Sequence, residues 1–282
     1  MSTKAVETLQ KPNAPNSSAK AMPVHSEEIQ AEWEDEDEKE VFHTGRYTIS
    51  MLFWPMLPVF LATMGICGFW VVFAMAVSNG SVNITETFPY ISTCGAYPPQ
   101  SCVFGQILNL GAFLGMVVCF IKYIQVRDYG YRSRLNLFGL ILGLLCAFGA
   151  TLVGNFQQYN ELEVHVTGAF LAFVIGNLYF WVQTILTKKV RPRHGGTWIG
   201  PLRFFLSLCG SILFISTVVL FYLQLHSEAA YCEWALAMDL FLLFGLFAVD
   251  FRHIGGCSIH ILPRYAEDDF PNVQISVQTL SL

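Results

Sequence analysis

The acidic side chains inside the apolar segments are the residues of this chain with the greatest potential for chemistry. Asp239 lies well inside an apolar stretch, where a carboxylate costs roughly 2.5–3.5 kcal/mol on insertion scales. Such a group serves a proton or cation pathway, or it holds helices together through polar contacts. Because few ionisable groups share its depth, we expect polar contacts between helices. The expected partners are Asn109, Asn177, Gln183 and the backbone, unless the carboxyl group is protonated.

A second group, Glu161, Glu163 and His165, contains side-chain types that bind metals. Its spacing is unfavourable, because a short loop supplies one His and no Cys, so we expect no metal site. The chain also lacks the motifs of zinc proteases, serine hydrolases, P-loop proteins, dinucleotide-binding folds and C-x-x-C redox sites. We therefore expect no enzymatic activity and no cofactor, and nucleic acid is not an expected partner.

Six apolar stretches must position these residues. Five contain no Asp, Glu, Lys or Arg, and the sixth contains Glu233 and Asp239. A membrane-spanning helix needs about 20 apolar residues, and a composition that is 54% hydrophobic and 13% charged favours a membrane protein. The predicted fold class is all-α, a polytopic six-transmembrane-helix bundle over residues 51–249. The predicted spans are about 51–77, 103–121, 135–154, 166–186, 204–223 and 229–249.

Basic residues are confined to the connections on one side of this bundle. Segments 122–134 and 187–203 contain four and five Lys or Arg residues, whereas 78–102, 155–165 and 224–228 contain none. Because cytoplasmic loops of membrane proteins carry the excess of Lys and Arg, we predict that both termini are cytosolic and that the bilayer is the main partner.

Two tails flank the predicted membrane domain. Residues 1–50 are polar, include the acidic run Glu32–Glu40 and show no periodic apolar face, so we expect a disordered cytosolic tail. We read the acidic run as a solvated linker, with docking of a basic partner as the alternative. The first apolar stretch is too long for a cleavable signal peptide. Residues 250–282 form the predicted C-terminal cytosolic tail.

The connections on the side without Lys or Arg carry the candidates for covalent modification. We predict one disulfide among Cys94, Cys102 and Cys232, and the sequence leaves the pairing open. Asn79-Gly-Ser and Asn83-Ile-Thr are glycosylation sequons. Because Asn79 lies closer to the end of the first span, we favour Asn83.

Two pairs of glycines have GxxxG spacing, Gly111 with Gly115 and Gly139 with Gly143. Small residues let helices approach closely within a membrane. We expect both pairs to pack inside the bundle, and the alternative is a homo-oligomer formed through them.

Several motifs follow one another along the chain. They are FPYISTCGAYPPQSC at 88–102 with VFGQILNLGAFLG after it, VGNFQ at 153–157, GAFLAFVIGNLYFW at 168–181, WIGPLR at 198–203 and CEW at 232–234. Together they cover all but the tails and resemble the damage-regulated autophagy modulator (DRAM) family of six-span proteins, in particular its transmembrane protein 150 branch.

The resemblance implies a non-enzymatic membrane protein that promotes autophagic flux and cell survival under nutrient stress. It places the chain in the plasma membrane and in endosomal, lysosomal and autophagosomal membranes. Two alternatives are an ion channel or channel auxiliary subunit, which Asp239 and a sister branch favour, and a membrane adaptor that localises a lipid kinase. Members of the branch begin almost directly before the first span, so no function is assigned to residues 1–50.

Phe270 and Val273 follow acidic residues in a pattern that resembles peptides that dock onto ubiquitin-like autophagosome proteins. Such peptides add a strand to a sheet edge and insert two side chains into pockets. Pro271 removes one backbone donor and weakens the match. The alternative is a disordered tail without a partner.

Overall fold

A computed structural model describes residues 53–190, 196–261 and 273–279. Its nine helices in these ranges are α1 (Phe53–Ser78), α2 (Ile91–Cys94), α3 (Gln100–Asp128), α4 (Arg134–Asn155), α5 (Leu162–Phe170), α6 (Gly176–Lys189), α7 (Ile199–Tyr222), α8 (His226–Gly245) and α9 (Phe247–Phe251). The acidic run Glu32–Glu40 lies outside the described residues.

Six of the helical segments are long and apolar enough to cross a membrane. The fourth, Leu162–Lys189, combines α5, a π-helical segment at Leu171–Ile175 and α6. The sixth, His226–Phe251, combines α8 and α9. The predicted all-α, six-span membrane bundle is confirmed.

The bundle has two chemically different ends, because six consecutive spans cross it in alternating directions. The α3–α4 and α6–α7 connections lie at the end that carries the Lys and Arg residues, here named the basic end. The other three connections, 79–99, 156–161 and 223–225, lie at the end named the acidic end, which carries Glu86, Glu161, Glu163 and Glu228 and no Lys or Arg.

Helix α3 continues well beyond its predicted end at Ile121 and stops at Asp128. The turn after it uses Gly130, whose φ of 79° lies in the left-handed region that favours glycine. Helix α4 then begins after Ser133, whose side chain accepts a hydrogen bond from Leu135 N at 3.1 Å. This is an N-cap of the usual kind, and it explains why α4 begins there.

Helices approach one another closely at several glycines, and some of these glycines lie outside the two GxxxG pairs. A Cβ on Gly149 would lie 2.6 Å from Ala172 N, and one on Gly105 would lie 2.8 Å from Gly154 O. Backbones therefore touch where α4 meets α3 and the π segment.

The two GxxxG pairs differ in what surrounds them. Gly143 packs as expected, because a Cβ there would lie 2.6 Å from Cys119 Sγ of the neighbouring α3, and Gly139 lies against Val182 of α6. The expectation is wrong for Gly115, where a Cβ meets no atom within 4 Å. Gly115 instead faces open space inside the bundle.

The buried apolar residues form two clusters, one toward each end. Tyr179, Phe180 and Phe247 are central to the cluster toward the basic end, and Phe69 and Trp234 to the cluster toward the acidic end. Helix α7 contributes little, since only 11% of its apolar window is buried compared with 33–44% for the other five spans. It lies at the edge of the bundle with most of its apolar side chains turned outward, as lipid contact requires.

The chain after α9 forms two antiparallel strands, β1 (Ile254–Ile261) and β2 (Val273–Thr279). Their register pairs Ile261 with Val273 and Cys257 with Val277. The predicted C-terminal tail from residue 250 therefore contains regular structure in these segments, because α9 includes Asp250 and β1 follows it.

Candidate functional site

The α1–α3 connection is attached to α8 at the acidic end by three hydrogen bonds of 3.0 Å. Phe88 N donates to Ser227 Oγ, Ile91 N donates to Glu233 Oε2, and Trp234 Nε1 donates to Pro89 O. In these bonds, α8 side chains satisfy backbone groups of the first connection. If Cys94 or Cys102 pairs with Cys232, one of the pairings that the sequence leaves open, the disulfide would join the same two elements.

Aromatic rings strengthen the same contact. Phe88 stacks on Tyr231 with ring centroids 4.5 Å apart, and Trp70 of α1 lies 4.8 Å from Trp234. Phe73 contacts both Phe88 and Trp234. Ring pairs of this kind contribute about 0.5–1.5 kcal/mol each beyond the burial of their area, so the connection is firmly held against α1 and α8.

The α4–α5 connection is tied to α2 through one glutamine. Ser92 Oγ donates to Gln158 Oε1 at 2.8 Å, and Gln158 Nε2 donates to Thr93 Oγ1 at 2.9 Å. His165 is buried, and its Nδ1 lies 2.6 Å from Phe156 O. Among the described residues, no three His, Cys, Asp or Glu side chains are close enough together to hold a metal ion, and His165 serves to hold the connection.

The two sequons differ in their hydrogen bonds although both asparagines are exposed. Asn79 Nδ2 donates to the buried Gln100 Oε1 at 2.7 Å, and a glycan on that nitrogen would displace this bond. Asn83 Nδ2 donates only to the exposed Glu86, at 3.0 Å, and Asn83 Oδ1 accepts from Thr85 Oγ1 at 2.7 Å. The geometry supports the preference for Asn83, and glycosylation stays a prediction.

The three cysteines predicted to provide a disulfide are unpaired in the structure. Cys94 is buried, Cys102 is exposed and Cys232 is half-buried. Burial, with a smaller contribution from the nearby Glu233 charge, raises the pKa of the Cys94 thiol to about 12. Cys94 is therefore a weak nucleophile as it stands, and the bridge stays a prediction.

The sequence interpretation missed a cluster of buried charges at the basic end. Asp250 of α9 pairs with Arg203 of α7 through a short contact and with Lys122 of α3, whose Nζ lies 3.3 Å from Asp250 Oδ1. Lys122, Arg203 and Asp250 are 6%, 1% and 8% exposed. We name these three residues the ionic cluster.

Further donors and acceptors complete the ionic cluster. Gln125, which is fully buried, donates to Asp250 O at 2.8 Å and accepts from Lys122 Nζ at 3.2 Å. Arg203 donates to Thr187 Oγ1 at 2.7 Å, and its guanidinium lies 5.1 Å from the ring centroid of Phe247. The ionic cluster thus joins α3, α6, α7 and α9, and its groups are occupied in holding these helices together.

These three charges lie outside the predicted spans, yet the structure buries them among the helices. Lys122 directly follows a predicted span, Arg203 directly precedes one, and Asp250 directly follows one. Each charge was placed outside the bundle because hydropathy alone ends a span at the first charge. Opposite charges at span ends on one side of the membrane are a signal that would have suggested the pairing.

Asp239 is 6% exposed, and its Oδ2 has no hydrogen-bond partner within the described part of the chain. It faces Gly210 of α7, where a Cβ would lie 2.9 Å from that oxygen. None of the three predicted partners donates to it in the described ranges. Asn109 pairs with Asn155 at 2.9 Å, and Asn177 lies 2.8 Å from Ser211 Oγ. Glycine provides room for the carboxyl group where a partner was expected.

The predicted docking residues lie at or beyond the limit of the described chain. Phe270 is outside the described residues. Val273 begins β2, and its backbone pairs with Ile261.

Comparisons with known proteins identify the family. The Frag1/DRAM/Sfk1/Cwh43P N-terminal domain matches residues 53–254. "Modulator of macroautophagy TMEM150B" of Xenopus tropicalis is 54% identical over 230 residues, which is 81% of this chain and 99% of the frog protein. The protein of the same name from Homo sapiens is 49% identical, over 74% of this chain and 90% of its own length.

A more distant relative has a different name. "Transmembrane protein 150A" of Xenopus laevis is 35% identical, over 71% of this chain and 84% of its own length. None of these three names is that of an enzyme. No solved structure matches the chain. The matched domain covers all six spans and the residues of both ends described above, and the chain belongs to the Frag1/DRAM/Sfk1/Cwh43P family.

Proposed function

We propose that this chain is a non-enzymatic, multi-pass membrane regulator of macroautophagy that promotes autophagic flux and cell survival under nutrient stress. One observation carries the proposal: relatives named modulators of macroautophagy are about half identical to this chain over most of its length. We place it in the plasma membrane and in endosomal, lysosomal and autophagosomal membranes.

The geometry of the site supports a binding role. The ionic cluster is buried and its groups contact one another, and Glu233 and His165 contact backbone atoms. A catalytic site needs a reactive group and a substrate position that meet in a cleft. The polar groups described here hold helices and connections in place, as a scaffold for partners requires.

We also propose that the basic end faces the cytosol, because all the Lys and Arg residues between the predicted spans lie at that end. A glycan on Asn83 would then lie on the opposite side of the membrane. Treatment of the expressed protein with an endoglycosidase should increase its electrophoretic mobility, and Asn83→Gln should abolish this change. Asn79→Gln is the matched control and should retain the glycan; no glycan on wild-type protein would contradict the assignment.

A cytosolic partner fits the C-terminal segment. We propose that Phe270 and Val273 dock onto a ubiquitin-like autophagosome protein by adding a strand to its sheet. Phe270→Ala with Val273→Ala should abolish pull-down of the partner, and Val277→Ala in the same strand is the control. Unchanged pull-down by the double variant would end this proposal.

Measurement of autophagic flux tests the main proposal. Cells that lack the protein should show reduced lysosome-dependent turnover of lipidated ubiquitin-like autophagosome protein during starvation. Wild type, residues 51–282 alone and Asp239→Asn should each restore turnover when localised correctly. If correctly localised wild type never changes turnover, the proposal is wrong.

The same cells separate the alternatives. A channel or channel subunit predicts that Asp239→Asn alters whole-cell current, and a lipid-kinase adaptor predicts that the kinase leaves the membrane when the protein is absent. A scaffold acting in macroautophagy predicts neither result, because such a scaffold neither conducts ions nor holds the kinase.

A further inference from the structure

A cavity of about 120 Å³ lies inside the bundle, between α1, α3, α4, α5 and α8. Its wall is almost entirely apolar and includes Gly111, Gly115 and Ala147. The space at Gly115 is not filled by any neighbouring side chain, since a Cβ there meets no atom within 4 Å. Protein interiors are closely packed, and cavities between the helices of a bundle are common ligand sites.

The cavity is long and narrow. Its wall runs from Phe104 to Gly115 on α3 and from Glu233 to Phe244 on α8. Each of these stretches corresponds to roughly 16 Å of helix rise. A small volume distributed over this length accommodates one unbranched apolar chain better than a rigid ring system.

The wall also includes a π-helical turn, a departure from regular α-helix that occurs frequently at functional sites. Ala172 and Phe173 of the π segment line the cavity. Ala172 is small and leaves space for an occupant, and Phe173 provides an apolar surface.

The polar groups of the cavity are at its acidic end. Ser92, His165 and Glu233 line it there. His165 is engaged with Phe156 O, and Glu233 accepts one backbone hydrogen bond through Oε2. Within the described ranges, no Lys or Arg side chain pairs with Glu233, and the connections of this end contain none.

The negative charge at the acidic end favours one chemical class of ligand head group. Five glutamates lie at this end, and in the described part of the chain none of them forms an ion pair with Lys or Arg: Glu86, Glu161, Glu163, Glu228 and Glu233. A phosphate or carboxylate head group would be repelled, whereas a cationic group that donates hydrogen bonds complements the Glu233 carboxylate.

We infer that the cavity binds one single-chain amphiphile with an amine head group, its apolar chain lying between α1, α3 and α8 and its ammonium at Glu233. This inference goes beyond the proposed function. Because it concerns binding by the isolated protein, it can fail while the flux proposal holds, and the reverse is equally true.

Photolabelling of the purified full chain in detergent tests the head-group preference. The probe is dodecylamine with a photoactivatable group in its chain, because a chain of about 12 carbons matches the length of the wall. Unlabelled dodecylamine should compete fully, dodecanol should compete about tenfold more weakly, and lauric acid should not compete at that concentration. Equal competition by lauric acid would overturn the amine assignment.

Two substitutions test the position of the ligand. Gly115→Leu places a side chain in the cavity and should reduce labelling by about tenfold. Ala235→Leu adds the same side chain at an exposed position of α8 and should leave labelling unchanged. Glu233→Gln keeps an acceptor for Ile91 N, and should weaken labelling by the dodecylamine probe without changing labelling by the matched photoactivatable dodecanol.

Mapping of the labelled peptides covers the case in which Gly115→Leu does not fold. In wild-type protein, the adduct should lie on cavity-lining residues of α1, α3 or α8. An adduct confined to exposed residues such as Phe113 or Ile215 would overturn the inference. Undiminished labelling of folded Gly115→Leu would overturn it as well.

Discussion

The basic and acidic ends of the bundle hold their elements together with different chemistry. At the basic end, Asp250 is paired with two buried cations, Lys122 and Arg203. At the acidic end, the first connection is attached to α8 by hydrogen bonds to single backbone groups and by aromatic rings. Each charge of the ionic cluster depends on the others, whereas Glu233 contacts no Lys or Arg among the residues that the structure describes, and its carboxylate can accept a donor from outside the chain. Charged groups thus hold helices together at the basic end, whereas at the acidic end Glu233 is available for the proposed ligand.

Asp250→Ala is expected to have the largest effect on stability. The substitution leaves the Lys122 and Arg203 charges buried without their carboxylate, and removal of one partner of a buried ion pair costs about 3–5 kcal/mol. The thermal unfolding temperature of the purified variant in detergent should be much lower than that of the wild-type protein. Glu163→Ala is the control, because this carboxylate is exposed at the acidic end and exposed substitutions usually change stability by about 0.5 kcal/mol or less. Similar losses in both variants would show that the ionic cluster does not stabilise the bundle.

Trp234→Phe is expected to have an intermediate effect. The change keeps a ring in the aromatic contacts but leaves Pro89 O without its donor, which costs about 1–3 kcal/mol for a buried group. Hydrogen exchange of residues 79–99 should accelerate while exchange at the basic end stays unchanged. Trp70→Phe is the control, since the Trp70 indole has ring contacts but no hydrogen bond in the described structure. Equal acceleration in both variants would contradict a specific role for the bond to Pro89.

Asp239→Asn should change stability by no more than about 1 kcal/mol, because the amide has nearly the shape of the carboxyl group and no described donor is lost. Removal of a buried charge without a partner can even stabilise the bundle. The thermal unfolding temperatures of Asp239→Asn and Asp250→Asn provide the comparison, and the temperature of the Asp250 variant should fall far more. A loss at Asp239 as large as that at Asp250 would mean that Asp239 holds a charge on which the fold depends.

Cysteine labelling should distinguish two residues of the acidic end without any effect on stability. An impermeant maleimide should modify the exposed Cys102 but not the buried Cys94. The thiolate is the reactive form, and because burial raises the pKa of Cys94 to about 12, an increase from about pH 7 to pH 9 should leave Cys94 unlabelled. In a Cys232→Ser background, Cys102→Ser should remove the signal. If the signal from Cys102 appears only after reduction, Cys102 takes part in the predicted disulfide.

Hydropathy predicted the six spans because a sufficiently long apolar stretch is more stable in the hydrocarbon core of a bilayer than in water. The same reasoning failed at the span ends. Lys122, Arg203 and Asp250 were each treated as boundaries, although α3 extends past the first and α7 begins before the second. Three charges from three helices can share one buried location only when the helices are assembled, and hydropathy considers one helix at a time.

Two other features show different limits. The alternation of apolar and polar residues from Val273 to Thr279 indicates a strand, so β2 was predictable from a local pattern that the interpretation of this tail did not use. Gly115 was not predictable, because GxxxG spacing cannot distinguish a glycine that allows helix contact from one that lines a cavity. Only the positions of α1 and α8 decide between the two.

The sequence by itself determined the membrane class, the number of spans and the charge difference between the two ends, because each follows from the transfer of single segments between water and lipid. Tertiary structure decided which charges are paired, why Asp239 lies against glycine and where the apolar wall leaves space. These depend on distances between side chains that are far apart in the chain, and such distances exist only after the helices have packed.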